Sequence, residues 1–211
     1  MVPAQVVLAG RSGLTAAVQA ACEKVYAQFD PPIVTGKYSS LDIAKGQQRE
    51  HGVANSAMQS ERGKSASNVP DAPGYTEGGG FCFTVFDGQS QGTEHKWLTD
   101  AAKEFHEKLS AQGKGGTLKE HLDQSQKNWE KSLKEKLRRR KRQAPRSRIK
   151  DADKKTKKER DALAKAAAKC LRMEAEKAFS AQDVPMSAKC RAGLSAAVKA
   201  AKRVATKKKA V

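Results

Sequence analysis

The run Phe81-Cys82-Phe83-Thr84-Val85-Phe86 is the most strand-like segment of this chain, because it consists mainly of aromatic and β-branched residues. Gly78-Gly79-Gly80 precede the run and Asp87-Gly88 follow it, so turn-forming residues limit it on both sides. This pattern predicts a buried strand at the centre of a sheet. The rest of the chain has to pack its helices and loops around that strand.

Most of the remaining chain has the apolar spacing of helices. Pro31-Pro32 end the first helical segment, Thr93 is a candidate N-cap for the second, and Thr117-Leu118-Lys119-Glu120 is a capping box that opens the third. Two segments with few large apolar residues predict long loops at residues 33–48 and 55–80. Helices are predicted at residues 14–29, 95–109, 118–140, 149–181 and 187–204.

The formal net charge of +18 is concentrated in the C-terminal part of the chain. Residues 1–128 contain 13 Lys+Arg and 14 Asp+Glu, whereas residues 129–211 contain 28 and 9. This asymmetry predicts a nearly neutral α+β domain over residues 1–128 and a basic helical extension over residues 129–211. A polyanion, DNA or RNA, is the expected partner of the extension.

The cysteines and the apolar segments exclude two classes of protein. Cys22, Cys82, Cys170 and Cys190 are too far apart in sequence for a Cys-x-x-Cys zinc knuckle. Reduced thiols are expected, with a pairing of Cys170 and Cys190 across a helical hairpin as the alternative. No run approaches the roughly 20 apolar residues of a membrane span, and the first residues do not have the pattern of a signal peptide. A soluble chain without an N-terminal signal is therefore expected.

Two further runs contain side chains that suit the hydrolysis of a phosphodiester. The first has the adjacent pair Glu50-His51 with Asn55 shortly after it, and the second, 44 residues beyond His51, contains His95. Adjacent residues on a strand point in different directions, so Glu50 can ligate a metal while His51 activates water. Asn55 can fix the local backbone through side-chain hydrogen bonds. His95 can complete the metal site from the first turn of a helix.

With these residues the chain resembles the HNH and GHH-type nuclease toxins of the His-Me finger superfamily, which occur as C-terminal domains of bacterial polymorphic toxins and secretion-system effectors. The resemblance covers residues 47–123. The motifs that carry it are Arg49-Glu50-His51 followed by Asn55-Ser56, Gly74-Tyr75 and Gly79-Gly80 before the strand, and Gly92-Thr93-Glu94-His95-Lys96 with Thr99-Asp100. The chain has Val53-Ala54 where such proteins usually have Val/Ile-Pro.

The resemblance implies a small ββα-metal core of the His-Me finger type, with flanking helices and a long basic helical C-terminal extension. It implies that His51 is the general base, that Asn55 is an orienting residue, and that Glu50, His95 and Asp100 ligate a divalent ion, which Mg²⁺, Mn²⁺, Zn²⁺ or Ni²⁺ would all suit. It further implies an effector delivered into the cytoplasm of a target cell, or otherwise a cytoplasmic protein. A cognate immunity protein is the implied partner, and no small-molecule cofactor is implied.

The basic residues are expected to hold the nucleic acid. Neutralising about six phosphates gives a strong, salt-dependent and sequence-independent affinity through counterion release. The alternative is a solvated helix whose charges contact nothing. The residues expected to contact nucleic acid are Arg49, Lys96, Arg138, Arg139, Arg140, Lys141, Arg142, Arg146 and Arg148.

Two classes of function follow from these observations. The first is a metal-dependent endonuclease, a nonspecific DNase or, with the same site, an RNase. The second is a non-enzymatic, architectural protein that binds DNA or RNA, since the Ala/Lys-rich C-terminus resembles linker-histone tails.

Several polar and aromatic residues also have structural interpretations. Glu50 can simply neutralise Arg49, Asp100 can favour the dipole of its helix, and His95 can be an exposed polar residue. His106 and His121 lie in the middle of helices among Lys and Glu, which predicts solvated side chains outside the site. Trp97 and Phe105 share a helical face with leucines, which predicts that they fill the core.

Overall fold

The computed structural model describes residues 15–60, 67–86, 92–139 and 143–191. These residues form an α+β structure with five helices and a small sheet of three antiparallel strands, which confirms the predicted α+β class. The elements in chain order are α1 (Ala16–Tyr26), β1 (Thr35–Lys37), β2 (Gln47–His51), α2 (Asn55–Met58), β3 (Phe81–Phe86), α3 (Glu94–Ala111), α4 (Leu118–Lys134) and α5 (Lys157–Ser180).

The strand predicted at residues 81–86 is β3, and it is the central strand of the sheet, in the order β1-β3-β2. All six of its residues are buried, as its apolar composition predicts. On one side β2 places Glu50 opposite Phe83 and His51 opposite Cys82. On the other side β1 pairs with the same strand, although its residues lie in a segment that was predicted as a loop.

The helices α3 and α4 begin where their capping residues predict. The amide of Glu120 donates to Thr117 Oγ1 over 3.2 Å, and the amide of Thr117 donates to Glu120 Oε2 over 2.7 Å. Both donors would otherwise lack partners at the start of a helix, so this capping box fixes the first turn of α4. A second box, formed by Thr156 and Glu159, opens α5 in the same way.

The prediction that α4 continues to residue 140 is wrong. The helix ends at Lys134, and Leu137 then pairs with Arg146 in an antiparallel bridge. Because each residue of this pair donates its amide to the carbonyl of the other, over 3.2 and 3.0 Å, the backbone at Leu137 is extended instead of helical.

The helix predicted from residue 149 begins only at Lys157. Ile149 pairs with Phe29, and Asp151 has a φ of 47°, which an α-helix does not accommodate. Of the helix predicted at residues 187–204, residues 187–191 are not helical and the others lie outside the described residues. The C-terminal part is thus less helical than its composition predicts.

A single hydrophobic core joins the sheet to helices from both ends of the described chain. The long helix α5 packs against α1, α4 and β3, and α3 packs against α4 and β3. The charge-based boundary between residues 128 and 129 lies inside α4. Trp129 and Leu133, just beyond that boundary, belong to the same core as Phe83 and Phe29.

The described helices do not have the length and apolar character that a membrane span requires. Even α5, with 24 residues, carries lysine, arginine and glutamate along its length. This agrees with the predicted absence of a membrane span.

Cys22 of α1 and Cys170 of α5 form a disulfide, with their Cα atoms 5.5 Å apart. Cys82 and Cys190 are buried free thiols. The expectation of reduced thiols is therefore wrong for the first pair, and the alternative pairing of Cys170 with Cys190 is wrong as well. The disulfide joins residues 148 positions apart, and the pairing depends on how α5 packs on α1.

Candidate functional site

The pair Glu50-His51 ends the edge strand β2. Because neighbouring residues on a strand face opposite sides of the sheet, the two side chains have different surroundings. The Glu50 carboxylate faces α3, whereas the His51 ring stacks on Tyr38, with ring centroids 4.5 Å apart. His51 Nε2 lies 4.0 Å from the carboxylate of Glu77.

His95, in the first turn of α3, meets Glu50 across the cavity that separates α3 from β2. His95 Nε2 lies 3.5 Å from Glu50 Oε2, and both side chains are largely buried, at 12 and 13% exposure. Burial and, to a lesser extent, the charge of Glu94 raise the pKa of Glu50 to about 8. Glu50 and His95, which are 45 positions apart in sequence, thus meet in space.

A buried ion pair holds the start of α3 in this position. Arg148 Nη1 donates to both carboxylate oxygens of Glu94, over 3.0 and 3.1 Å, and the amide of Phe86 donates to Glu94 Oε2 over 2.9 Å. Arg148, predicted to contact nucleic acid, is instead only 3% exposed and also lies over the Phe86 ring. Glu94 and Arg148 therefore tie α3 to the end of β3 and thereby position the neighbouring His95.

Three polar atoms near the end of β2 are buried and have no hydrogen-bond partner in the described part of the chain. They are Glu50 Oε2, His51 Nε2 and Asn55 Oδ1. An unsatisfied buried polar atom usually costs about 1–3 kcal/mol, so three such atoms in one region indicate a place that receives a ligand or water. Asn55 begins the short helix α2, and its Oδ1 does not make the backbone hydrogen bond that was expected of it.

Burial lowers the pKa of His51, and the nearby His95 lowers it further, whereas the negative charge of Glu77 opposes the shift. Since the ordinary value for histidine is 6.5, His51 is predominantly neutral at pH 7. A neutral imidazole has one ring nitrogen that accepts a proton.

All four histidines of the chain line one cavity of about 420 Å³, which is called the histidine cavity below. Glu50 and Asn55 line it as well. The prediction that His121 is solvated is wrong: its side chain is buried, its Nε2 lies 2.7 Å from the carbonyl of Gly115, and its ring contacts Phe105 edge-on. His106 is partly buried and lies against His121, with ring centroids 6.0 Å apart. The spacing of 15 residues between His106 and His121 gives no sign of this contact.

Asp100 does not belong to this group of residues. Its carboxylate pairs with Lys96 one turn earlier on α3, and both line the adjoining groove between α3 and α4, whereas neither lines the histidine cavity. Trp97 lines the same groove and packs partly against the core, with Lys131 over its ring. The structure thus brings together Glu50, His51, Asn55 and His95 and leaves Asp100 outside.

The other predicted nucleic-acid contacts have diverse surroundings. Arg49 lines the histidine cavity and donates from Nε to the carbonyl of Leu41 over 2.8 Å. Arg138 and Arg146 are exposed, and the amide of Arg138 donates to the carbonyl of Gly92 at the start of α3. Arg139 pairs with Asp30 and lies over the Phe86 ring. The remaining three, Arg140, Lys141 and Arg142, lie outside the described residues.

Glu50 and His95 are the two side chains best placed to bind a cation together. Within the ranges that the structure describes, no group of three or more His, Cys, Asp or Glu side chains is arranged to hold a metal ion. A metal held here would therefore take its other ligands from water or substrate, as catalytic sites with open coordination positions do.

No family model matches this chain, and comparison with curated proteins and with solved structures gives no match either. The function is therefore argued from the geometry of the site.

Proposed function

We propose that this chain is a metal-dependent endonuclease that hydrolyses phosphodiester bonds in DNA at the β2 end of the histidine cavity. The observation that carries the proposal is the convergence of a carboxylate, two imidazoles and an amide, with three buried polar atoms that lack partners among the described residues. These are the group types that metal-assisted hydrolysis needs: a cation site, a proton acceptor and a polar group that orients water or phosphate.

The spacing of Glu50 and His95 fits two ligands of one divalent ion. Ligand atoms bound at about 2.0–2.2 Å lie about 3.3–3.6 Å apart at tetrahedral angles and about 2.8–3.1 Å apart at octahedral ones, so an octahedral ion would draw the two side chains slightly closer. The distance from Glu50 Oε2 to His95 Nε2 is 3.5 Å. A divalent ion held there would supply positive charge to the scissile phosphate and to the leaving oxygen.

His51 acts as the general base. It lines the same cavity as Glu50, but its ring stacks on Tyr38, so a ligand role for Glu50 does not require His51 to bind the same ion. Its neutral ring accepts a proton from the attacking water, and the stacked Tyr38 ring restricts its orientation. The side-chain carbonyl of Asn55, which has no partner within the described part of the chain, would orient the water.

The chain order β2, β3, α3 supports the finer fold assignment to the ββα-metal class. Two antiparallel strands carry Glu50 and His51 at the end of the first strand, and His95 follows in the first turn of α3. A nuclease effector of the His-Me finger type would act in the cytoplasm of a target cell and require a cognate immunity protein. RNA is the second substrate that the same chemistry allows.

The exposed basic residues beside α3 supply a surface for the phosphate backbone. Arg138 lies against the start of α3 through its hydrogen bond to Gly92, and Arg146 pairs with Leu137 in the same extended segment. This surface lies near the helix turn that carries His95, so a strand held there passes close to the cavity. Such contacts predict affinity that falls steeply with salt concentration.

The direct test is cleavage of supercoiled plasmid DNA, and of an RNA of similar length, by the full chain. We expect nicked and then linear plasmid in the presence of Mg²⁺ or Mn²⁺ and none with an excess of chelator. Glu50→Gln should abolish cleavage, whereas Asp100→Asn should retain it, because Asp100 is paired with Lys96 outside the cavity. Binding of DNA without cleavage under every metal condition would instead favour an architectural protein.

Glu50 also gives a prediction for stability against pH. Its pKa is about 8 in the folded chain, whereas the ordinary value, which applies to the unfolded chain, is 4.5. Between these two pH values the folded state therefore binds more protons than the unfolded state. In the presence of a chelator the free energy of unfolding should therefore fall as the pH rises from about 4.5 to about 8. A bound cation favours the ionised carboxylate, so Mg²⁺ or Mn²⁺ should raise the melting temperature more at about pH 8.5 than at about pH 6.

The matched control for this measurement is Glu50→Gln, which keeps the size of the side chain and removes its titration. In the variant the free energy of unfolding should no longer contain the pH dependence that comes from Glu50. Mg²⁺ or Mn²⁺ should raise its melting temperature much less than that of the unmodified chain. Equal melting-temperature shifts with Mn²⁺ in the variant and the unmodified chain would contradict the assignment of Glu50 as a ligand.

A further inference from the structure

The histidine cavity is longer than the proposed hydrolytic group requires. His95 and His106 both line it from α3, and they are 11 residues apart. This spacing corresponds to about three turns, so the two residues share a helix face and lie roughly 16 Å apart along its axis. The group of Glu50, His51, Asn55 and His95 occupies one end. The proposed hydrolysis gives no role to the other end, where His106 of α3 lies against His121 of α4, and which is called the α4 end below.

The α4 end is lined by planar and amide side chains. The Phe105 ring meets the His121 ring edge-on, with centroids 5.2 Å apart. On α4, Gln124 Nε2 donates to Asn128 Oδ1 over 3.0 Å. The other two amide atoms of this pair, Gln124 Oε1 and Asn128 Nδ2, take no part in this bond, and they supply one acceptor and one donor.

The charges at this end favour an uncharged ligand over a second phosphate. The two charged side chains of the cavity lining here, Lys103 and Glu107, are of opposite sign, and the adjoining groove, which shares Glu107, Gln124 and Asn128, has both lysines and acidic residues. His121 Nε2 lies 2.7 Å from the Gly115 carbonyl oxygen, which can only accept a hydrogen bond, so that nitrogen carries the proton in the neutral ring. A lining with aromatic edges, amide donors and acceptors and one charge of each sign suits a neutral planar group that forms paired hydrogen bonds.

We propose that the α4 end of the histidine cavity binds a nucleobase of the same strand whose phosphate lies at the β2 end. Side-chain amides pair well with a base edge that presents a neighbouring donor and acceptor. A base reaches such a cavity only when it is unstacked, so the favoured substrate is single-stranded or contains an unpaired nucleotide. The volume of about 420 Å³ lies within the usual range of small-molecule sites, about 300–1,000 Å³. This inference rests on the proposed function, since it takes the scissile phosphate as the anchor.

The test compares ligands with equal numbers of phosphates. The full chain is titrated, with chelator present, with a fluorescent single-stranded DNA oligonucleotide, with its wholly abasic analogue, and with the corresponding duplex. We expect the normal single strand to bind on the order of tenfold more tightly than the abasic strand, which is the size of effect that one stacked base gives. Equal affinities for the normal and abasic strands would overturn the proposal.

The variants Gln124→Leu and Asn128→Leu should each reduce this difference, and Gln126→Leu is the matched control, because it makes the same change on α4 outside the lining of the cavity. The melting temperatures of all three variants show whether they are folded. If both cavity variants are folded and still bind the normal strand more tightly than the abasic strand to the same degree as the control, the amide pair does not bind the base.

A further measurement needs no variant. Deoxyadenosine 5′-monophosphate should displace the fluorescent single strand at a concentration about tenfold lower than inorganic phosphate requires, because only the nucleotide carries a base. Identical responses to both would contradict a base-binding site.

The two proposals can fail independently. His51→Ala should lose cleavage and keep the preference for the normal over the abasic strand, since His51 lies at the other end of the cavity. A base preference without cleavage by the unmodified chain would remove the proposed hydrolysis and keep the base site. Cleavage without a base preference would remove the base site alone.

Discussion

Replacing His51 with alanine is expected to reduce the rate of plasmid cleavage by about 10²–10⁴-fold, the usual contribution of a positioned general base. The ring lies at the end of β2, its Nε2 is buried without a hydrogen-bond partner among the described residues, and burial keeps its pKa below the ordinary value. Water would still be able to reach the phosphate in the variant, but no side chain would accept its proton. The rate is measured under single-turnover conditions with saturating Mg²⁺ or Mn²⁺.

Chemical rescue distinguishes a base from a residue that merely supports the fold. Added imidazole should restore part of the rate of His51→Ala, because the truncated side chain leaves space against the Tyr38 ring. The same addition should not restore Glu50→Gln, in which a metal ligand is missing. His51 is not the base if the His51→Ala variant cleaves at the rate of the unmodified chain. The same holds if the variant is inactive only because it is unfolded, which the absence of a melting transition would show.

The local parts of this structure are the ones that the sequence predicts well. The strand at residues 81–86 follows from its own composition and from the glycines beside it, and the capping box at Thr117 and Glu120 follows from two residues three positions apart. The first-turn position of His95 follows from Thr93 at the N-cap. In each case the residues that decide the structure are neighbours in sequence.

The meeting of Glu50 with His95 was predicted from the chemical types of two separate runs, although nothing in their spacing fixes how the intervening loop folds. The helices predicted over residues 135–139 and 149–156 are wrong, because a strongly basic composition is compatible with a helix as well as with an extended segment. Here the pairing of Leu137 with Arg146 and of Ile149 with Phe29 outweighs helical propensity.

The burial of His121 was missed for a similar reason. Several of its neighbours in sequence are charged or polar. However, His121 lies on the same buried face of α4 as Leu118 and Leu122, and its ring contacts Phe105 of α3.

The burial of Arg148 was missed as well, because Arg148 lies in a basic run that resembles a phosphate-binding surface. Its buried partner is Glu94, 54 residues away, and a single sequence gives no sign of that pairing.

Arg148→Ala is expected to lower the free energy of unfolding by about 3–5 kcal/mol, the usual cost of removing one partner of a buried ion pair. Glu94 is 2% exposed, so the substitution leaves a buried carboxylate whose remaining hydrogen-bond donor among the described residues is the Phe86 amide. Urea denaturation gives the free energy directly. The exposed neighbour Arg146→Ala is the matched control and should change it by less than about 0.5 kcal/mol.

The double variant Glu94→Gln with Arg148→Met separates the cost of an isolated charge from the loss of packing. The introduced glutamine would still accept from the Phe86 amide, and the methionine would keep apolar contact with the Phe86 ring, so the double variant should be more stable than Arg148→Ala alone. Because the pair fixes the turn of α3 that carries His95, Arg148→Ala should also weaken the binding of Mn²⁺ at temperatures where the variant is still folded. Unchanged stability of Arg148→Ala would mean that the Glu94 carboxylate finds another partner or takes up a proton, and the ion pair would then not be what positions His95.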